Sequence, residues 1–222
     1  ASSFMVKPSS RRVDFRVVGN RITARGDTES GSGIDLSMEG QGTVRPEIYN
    51  NVIFDVATCN CGVASGISIV PDPEFRADIN IVGNVIERSG GSGISQRNGL
   101  TTGRLSLDVF NNIISHNGVS GIRLDSGNPG TLVFRAGFND FFANGQPNTL
   151  DGKSAGSGNL AVGPRFVSSV DFRLRSDSPL INKGFTCSPG GVANPDATGR
   201  HRLNGPAVDI GAFESGGAAI TG

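Results

Sequence analysis

Ile81-Val82-Gly83-Asn84-Val85-Ile86, with Ser92-Gly93-Ile94 shortly after it, is the stretch on which the fold turns. The first motif returns as Val17-Val18-Gly19-Asn20-Arg21-Ile22, Ile48-Tyr49-Asn50-Asn51-Val52-Ile53, Val109-Phe110-Asn111-Asn112-Ile113-Ile114 and, weaker, Ala136-Gly137-Phe138-Asn139-Asp140-Phe141. The second, Ser-Gly-Ile, ends at Ile34, Ile67, Ile94 and Ile122. From each of these Ile residues to the next Asn the chain runs 17, 17, 18 and 17 residues, and from Asn to the following Ile 14, 16, 10 and 10. One connection of nearly fixed length beside one that varies is the mark of a solenoid with loops on one side.

Aligned on the Asn, the preceding columns alternate with period two. Val13, Val44, Ala77, Leu105 and Leu132 form one apolar column; Phe15, Pro46, Ile79, Leu107 and Phe134 form another; Val17, Ile48, Ile81, Val109 and Ala136 form a third. Between them stand Asp14, Arg45, Asp78 and Ser106, then Arg16, Glu47, Asn80, Asp108 and Arg135. A period of 2 specifies a strand with one face in and one face out, and excludes helical repeats. The reading is an all-β chain, a parallel β-helix of about six coils with an irregular C-terminal cap. Right-handedness is expected from the rule for parallel crossovers. Strands are expected near 13–17, 34–36, 44–48, 67–69, 77–81, 94–96, 105–109, 122–124 and 131–136. Residues 1–150 then form the coils, 151–214 the last coils and capping segment, and 215–222 a flexible Gly/Ala-rich tail.

The column Asn20, Asn51, Asn84, Asn112 and Asn139 follows Gly19, Asn50, Gly83 and Asn111, residue types that tolerate positive φ at a corner. Amides stacked coil upon coil can satisfy donor and acceptor along the stack, so this column reads as a structural ladder. The column Ser32, Ser65, Ser92 and Ser120 reads the same way, since no His or Asp accompanies it at a fixed offset. The outward charges alternate in sign and read as an ion-pair ladder.

Composition narrows the function classes. Among 222 residues, 33 are Gly and 6% are aromatic, which suits turns and short strands. Lys+Arg and Asp+Glu are both 20, so no electrostatic footprint for nucleic acid or an anionic membrane is present. No apolar run approaches the ~18–20 residues of a membrane span. Cys59, Cys61 and Cys187 cannot all pair internally, and His116 and His201 do not complete a metal set with them. Little precedes the first apolar strand column. The N-terminal end is therefore expected to be covered by self-association with another copy, by an upstream segment, or by residues 1–10 as a partial strand.

After Asn148 the repeat decays. Leu174, Ser178, Pro179, Ile181 and Gly184, then Asp196, Gly199 and Arg202, then Asp209-Ile210-Gly211-Ala212-Phe213-Glu214 resemble the C-terminal region of bacterial β-helix proteins of the pectate-lyase-like superfamily, of the choice-of-anchor Q type. The resemblance covers roughly residues 13–214 and implies a secreted or cell-surface protein. This segment is expected to wrap the last coils and protect the end of the stack, with Asp196, Arg200, Arg202, Asp209 and Glu214 as a structural network.

The resemblance also implies a polysaccharide groove over the Ser-Gly-Ile sheet. Arg97, Arg123 and Asp125 are the best polar group there, with Asp35 about three coils away, and together they form the candidate glycan-binding set. Two arginines suit a uronate carboxylate. Catalysis needs more: clustered acids for calcium plus a base in a lyase, or two facing carboxyl groups in a hydrolase. The sequence points to a non-catalytic, structural or glycan-contacting module without cofactor. The alternative is a lyase or hydrolase of acidic polysaccharide, for which calcium would be the ion.

Overall fold

The computed structural model describes residues 2–6, 12–24, 31–56, 64–97, 102–125 and 132–216, the first of these as backbone only. Its strands, numbered in chain order, fall into three parallel sheets of five. The first sheet holds β1 (Ser2–Val6), β4 (Ile34–Met38), β7 (Ile67–Pro71), β10 (Ile94–Gln96) and β13 (Ile122–Leu124). The second holds β2 (Arg12–Val18), β5 (Thr43–Tyr49), β8 (Arg76–Val82), β11 (Arg104–Phe110) and β14 (Leu132–Gly137). The third holds β3 (Arg21–Ala24), β6 (Val52–Val56), β9 (Val85–Ser89), β12 (Ile113–Ser115) and β15 (Asp140–Phe142). The chain visits the three sheets in rotation, which is a parallel β-solenoid.

Five strands per sheet make about four turns, fewer than the six coils read from the sequence. The difference lies after β15, where the path continues only through isolated parallel bridges: Gln146 to Ser120, Thr149 to Arg123, Ser157 to Gly137 and Leu160 to Asp140. At the other end, β1 pairs in register with β4, Ser2 with Ile34 through Val6 with Met38. Of the three covers expected for the first coil, a partial strand is the one seen.

In-register pairing converts each apolar column into a stack. Ile34, Ile67, Ile94 and Ile122 meet in the first sheet, Ile48, Ile81 and Val109 in the second, and Ile53, Ile86 and Ile114 in the third, all essentially inaccessible to solvent. Each fully buried aliphatic side chain contributes roughly 1.5–3 kcal/mol. The two motifs also interlock. A Cβ placed on Gly33 would lie 2.5 Å from the Ile53 Cγ2, and on Gly66 or Gly93 it would overlap Ile86 or Ile114. The glycine of Ser-Gly-Ile is bare because the isoleucine after the Asn occupies that space.

The third sheet was not anticipated as strands. Ile53, Ile86 and Ile114 point into the solenoid, while Val52, Val85 and Ile113 point outward into a second cluster with Phe172, Leu180, Ile210 and Ala212. Both faces are covered, so the apolar/polar alternation that marks a half-exposed strand is missing.

The same contacts correct the expected position of the C-terminal segment. It runs as a strap along the side of the solenoid, over the third sheet and the Asn corner, rather than across the end of the stack. Phe172 packs tilted against Phe54 at 5.1 Å between ring centroids, and Phe185 and Ala193 cover Tyr49, Val82 and Phe110. The end receives the irregular bridges of residues 146–160 and the Val162 N–H on Asp140.

Candidate functional site

Three polar surfaces and two buried networks stand out from the solenoid. The Asn column occupies the corner between the second and third sheets. Asn50 and Asn111 have φ of 53° and 57°, and Gly19 and Gly83 have 68° and 66°, so the corner residues are left-handed as their types suggest. Asn20 Nδ2 donates to Asn51 Oδ1 at 3.0 Å, and Asn51 does so to Asn84, Asn84 to Asn112 and Asn112 to Asn139 at 2.9–3.0 Å. Each Oδ1 also accepts the backbone N–H of the preceding Asn. The ladder runs one member further than the repeat, to Asn159. The buried amides from Asn51 to Asn139 are fully used within the ladder and in holding backbone, which leaves them nothing for a ligand.

On the first sheet, β10 pairs with β13 so that Arg97 and Asp125 extend one outward column and Arg123 lies in the next. The structure therefore brings Arg97, Arg123 and Asp125 together. Asp35 stands in the column of Arg123 but three strands away, about 14 Å at the usual strand spacing. Between them Ser68 and Ser95 are buried, and Ser37 Oγ approaches Asp35 Oδ1 at 3.5 Å. Two carboxylates this far apart share neither a sugar ring nor a calcium ion, so this set does not fit the calcium of a lyase. Among the described residues, no group of three His, Cys, Asp or Glu is placed to hold a metal. Tyr49 and Phe110 lie under the strap, and burial pushes the Tyr49 hydroxyl up to about 12. Neither presents a ring to a ligand.

The outer face of the second sheet forms an open groove of about 720 Å³. Arg16 meets Glu47 at 2.7 Å, Arg45 meets Asp78 at 3.1 Å, and Arg135 grips Asp108 with two bonds of 2.6 and 2.7 Å. Asp14 departs from the expected ladder: it turns to Arg12 on its own strand, at 2.6–2.8 Å, rather than to Arg45. That contact holds the Asp14 carboxyl below its ordinary value. One column earlier stand Arg12, Thr43, Arg76 and Arg104, in register across four strands. Each of these residues stands eight before its ladder Asn.

The third surface lies at the corner between the third and first sheets. Asp55, Arg88, His116 and Ala143 all have φ near 50–56°, a second left-handed column that the sequence motifs did not reveal. Beside it Glu87 is nearly buried, which pushes its carboxyl above the ordinary range. It accepts from Ser115 Oγ, contacts His116 Nδ1 at 2.9 Å and Arg88 at 3.3 Å, and Arg88 continues to Asp55 at 2.7 Å. Ser115 bonds to Glu87 and not to His116, so the three do not form a nucleophile–base pair. After this column a short second ladder appears: Asn117 Nδ2 donates to Asn144 Oδ1 at 2.9 Å, and Asn117 Oδ1 accepts from the Ser89 N–H.

Within the strap, Arg202 is buried and its Nη2 donates to the carbonyls of Asp209 and Gly211. Asp196 Oδ1 accepts from the backbone of Thr198 and Arg200, and Asp196 Oδ2 accepts from Glu214 N–H. Glu214 in turn accepts from Asn204 and Asp209, and burial pushes its carboxyl up to about 7. Arg200 enters this network through its backbone N–H, whereas Arg202 enters it through its guanidinium. Cys187 is free and exposed, while Cys59, Cys61 and the tail 217–222 lie outside the described residues. No helix among the described residues is long and apolar enough to cross a membrane. No protein-family model matches this chain, and no curated protein matches it in sequence.

Proposed function

We propose that the chain is a non-catalytic β-solenoid module, displayed outside the cell or on a bacterial cell surface, that contacts acidic polysaccharide. The pectate-lyase-like, choice-of-anchor Q character of its C-terminal motifs belongs to the same proposal. One observation carries it. In the groove of the second sheet each carboxylate is taken by an arginine, while Arg104 in its lining and Arg76 beside it on the adjacent strand have no acid partner among the described residues. Free guanidinium groups suit recognition of carboxylate or sulfate. Hydrolysis would need two free facing carboxyl groups, and elimination a cation with an adjacent base.

A panel of polygalacturonate, alginate and glycosaminoglycans, assayed for new reducing ends and unsaturated products with and without calcium, tests the reading. Binding without turnover is the expected result. Reproducible turnover of any member supports the lyase or hydrolase alternative and overturns this one.

A further inference from the structure

The groove of the second sheet contains a spot where the ion-pair ladder stops. On β8 and β11, Asn80 and Ser106 occupy positions that carry charges on neighbouring strands, facing Asp108 and Asp78 respectively. The Asn80 amide, the Ser106 hydroxyl and the Arg104 guanidinium all line the groove, and none has a side-chain partner among the described residues. Arg76 stands directly beside Arg104 on the adjacent strand, so two like charges face each other across one strand spacing with no carboxylate between them. Such a pairing opposes sheet formation. The wall opposite is the strap at Gly190, whose carbonyl is fixed by the Tyr49 hydroxyl at 2.8 Å.

We infer that this spot is the binding subsite for one acidic sugar of a linear polysaccharide, its carboxylate or sulfate on Arg104 and Arg76 and its ring hydroxyls on Asn80 and Ser106. The inference rests on the glycan-contacting reading above and moves its centre from the first sheet to the second. Charge complementarity selects the occupant. The subsite offers two adjacent cations, an amide and a hydroxyl, which match a sugar bearing one anionic group and several hydroxyls. The charges around the spot cancel in pairs, Arg16 with Glu47, Arg45 with Asp78 and Arg135 with Asp108, so it lacks the continuous basic track that a nucleic acid backbone needs. A groove of this volume lies within the ordinary range for small-ligand sites.

The experiment is titration calorimetry of the whole chain with oligogalacturonate, heparin oligosaccharides and neutral dextran at low and moderate salt. Four proteins are compared: the parent, Arg76→Ala/Arg104→Ala, Asn80→Ala/Ser106→Ala and Arg97→Ala/Arg123→Ala, each with its melting temperature. The expected result is that Arg76→Ala/Arg104→Ala weakens binding about tenfold or more and flattens its salt dependence. Asn80→Ala/Ser106→Ala weakens it about threefold or more. Arg97→Ala/Arg123→Ala stays within about twofold of the parent, and dextran does not bind. The carboxylate and sulfate arms identify which anionic group is preferred. Binding that survives Arg76→Ala/Arg104→Ala, or falls only in Arg97→Ala/Arg123→Ala, overturns the subsite and leaves the glycan-contacting reading standing. Absence of binding to every acidic polysaccharide overturns both. Should the double variant not fold, Arg104→Gln and Arg104→Glu provide the same comparison singly.

Discussion

The two left-handed corners of the third sheet solve one backbone problem with different chemistry. At the first, between the second and third sheets, the strap lies on top. Asn50 Nδ2 donates to the Ala193 and Pro195 carbonyls, Asn111 exchanges two bonds with Phe185, and Gly211 N–H reaches the Asn111 carbonyl. Asn50, Asn51, Asn84, Asn111 and Asn112 are buried under it, and neutral amides satisfy the chain both at the corner and in the ladder beneath. At the second, between the third and first sheets, the corner residues are Asp55, Arg88, His116 and Ala143, and Arg88 and His116 remain a third to a half exposed. Solvent tolerates charge, and the amide ladder shrinks to Asn117 and Asn144. What covers a corner, more than the corner's own geometry, determines which residues stand on it.

The sharpest way to break this comparison is at the middle of the covered ladder. Asn84→Ala removes the acceptor of the Asn51 backbone and side-chain N–H groups and the donor to the Ile48 carbonyl, all buried. A loss of about 3 kcal/mol is expected in denaturant unfolding. A midpoint unchanged from the parent would remove the argument that the ladder satisfies buried backbone.

Next comes Asp140, which follows the covered corner directly. It is fully buried, its Oδ1 accepts the Val162 N–H at 3.0 Å and its Oδ2 has no partner among the described residues. Burial pushes its carboxyl up to about 6 from 3.8. The folded protein therefore prefers the protonated form: the stabilisation is complete below about pH 4 and is lost as pH rises through 6. Asp140→Asn should raise stability at pH 8 by on the order of 2–3 kcal/mol and change it little at pH 4. Melting curves at the two pH values check this, and an equal effect at both would show that the charge is not the cause.

The smallest effect is expected at the open corner. Asn117→Ala deprives the Ser89 N–H of its acceptor and the Ile86 carbonyl of a 3.4 Å bond, next to Arg88 and His116, which remain partly exposed. About 1–2 kcal/mol is expected in the same unfolding assay. A cost equal to that of Asn84→Ala would mean that coverage by the strap is irrelevant.

Much of this was legible in the sequence because half-exposed strands write their orientation into it. The Val17-Ile48-Ile81-Val109 column and the charges beside it gave the second sheet, and the Gly19/Asn50/Gly83/Asn111 types gave the corner. The third sheet was illegible for a physical reason: Val85 and Ile86 are both buried, on opposite faces, so no period appears. The strap's course was illegible because Phe172, Leu180 and Ile210 find partners far away in sequence. Of the candidate site, Arg97, Arg123 and Asp125 could be placed together from register alone. The spare Arg76–Arg104 pair could not be recognised, since only side-chain geometry shows that every nearby acid is already taken by another arginine.

The Asn ladder also has a direction. Each amide receives through its oxygen from the coil before and gives through its nitrogen to the coil after, from Asn20 to Asn159. Dipoles aligned head to tail reinforce one another, as in a run of cooperative hydrogen bonds. The column is thus a polar wire along the solenoid axis, with its oxygen end at Asn20 and its nitrogen end toward Asn159. A coil slipped by one residue would take its Asn out of the column and leave the amides above and below without their acceptor and donor. The wire makes each turn of the chain proofread the register of the one before it.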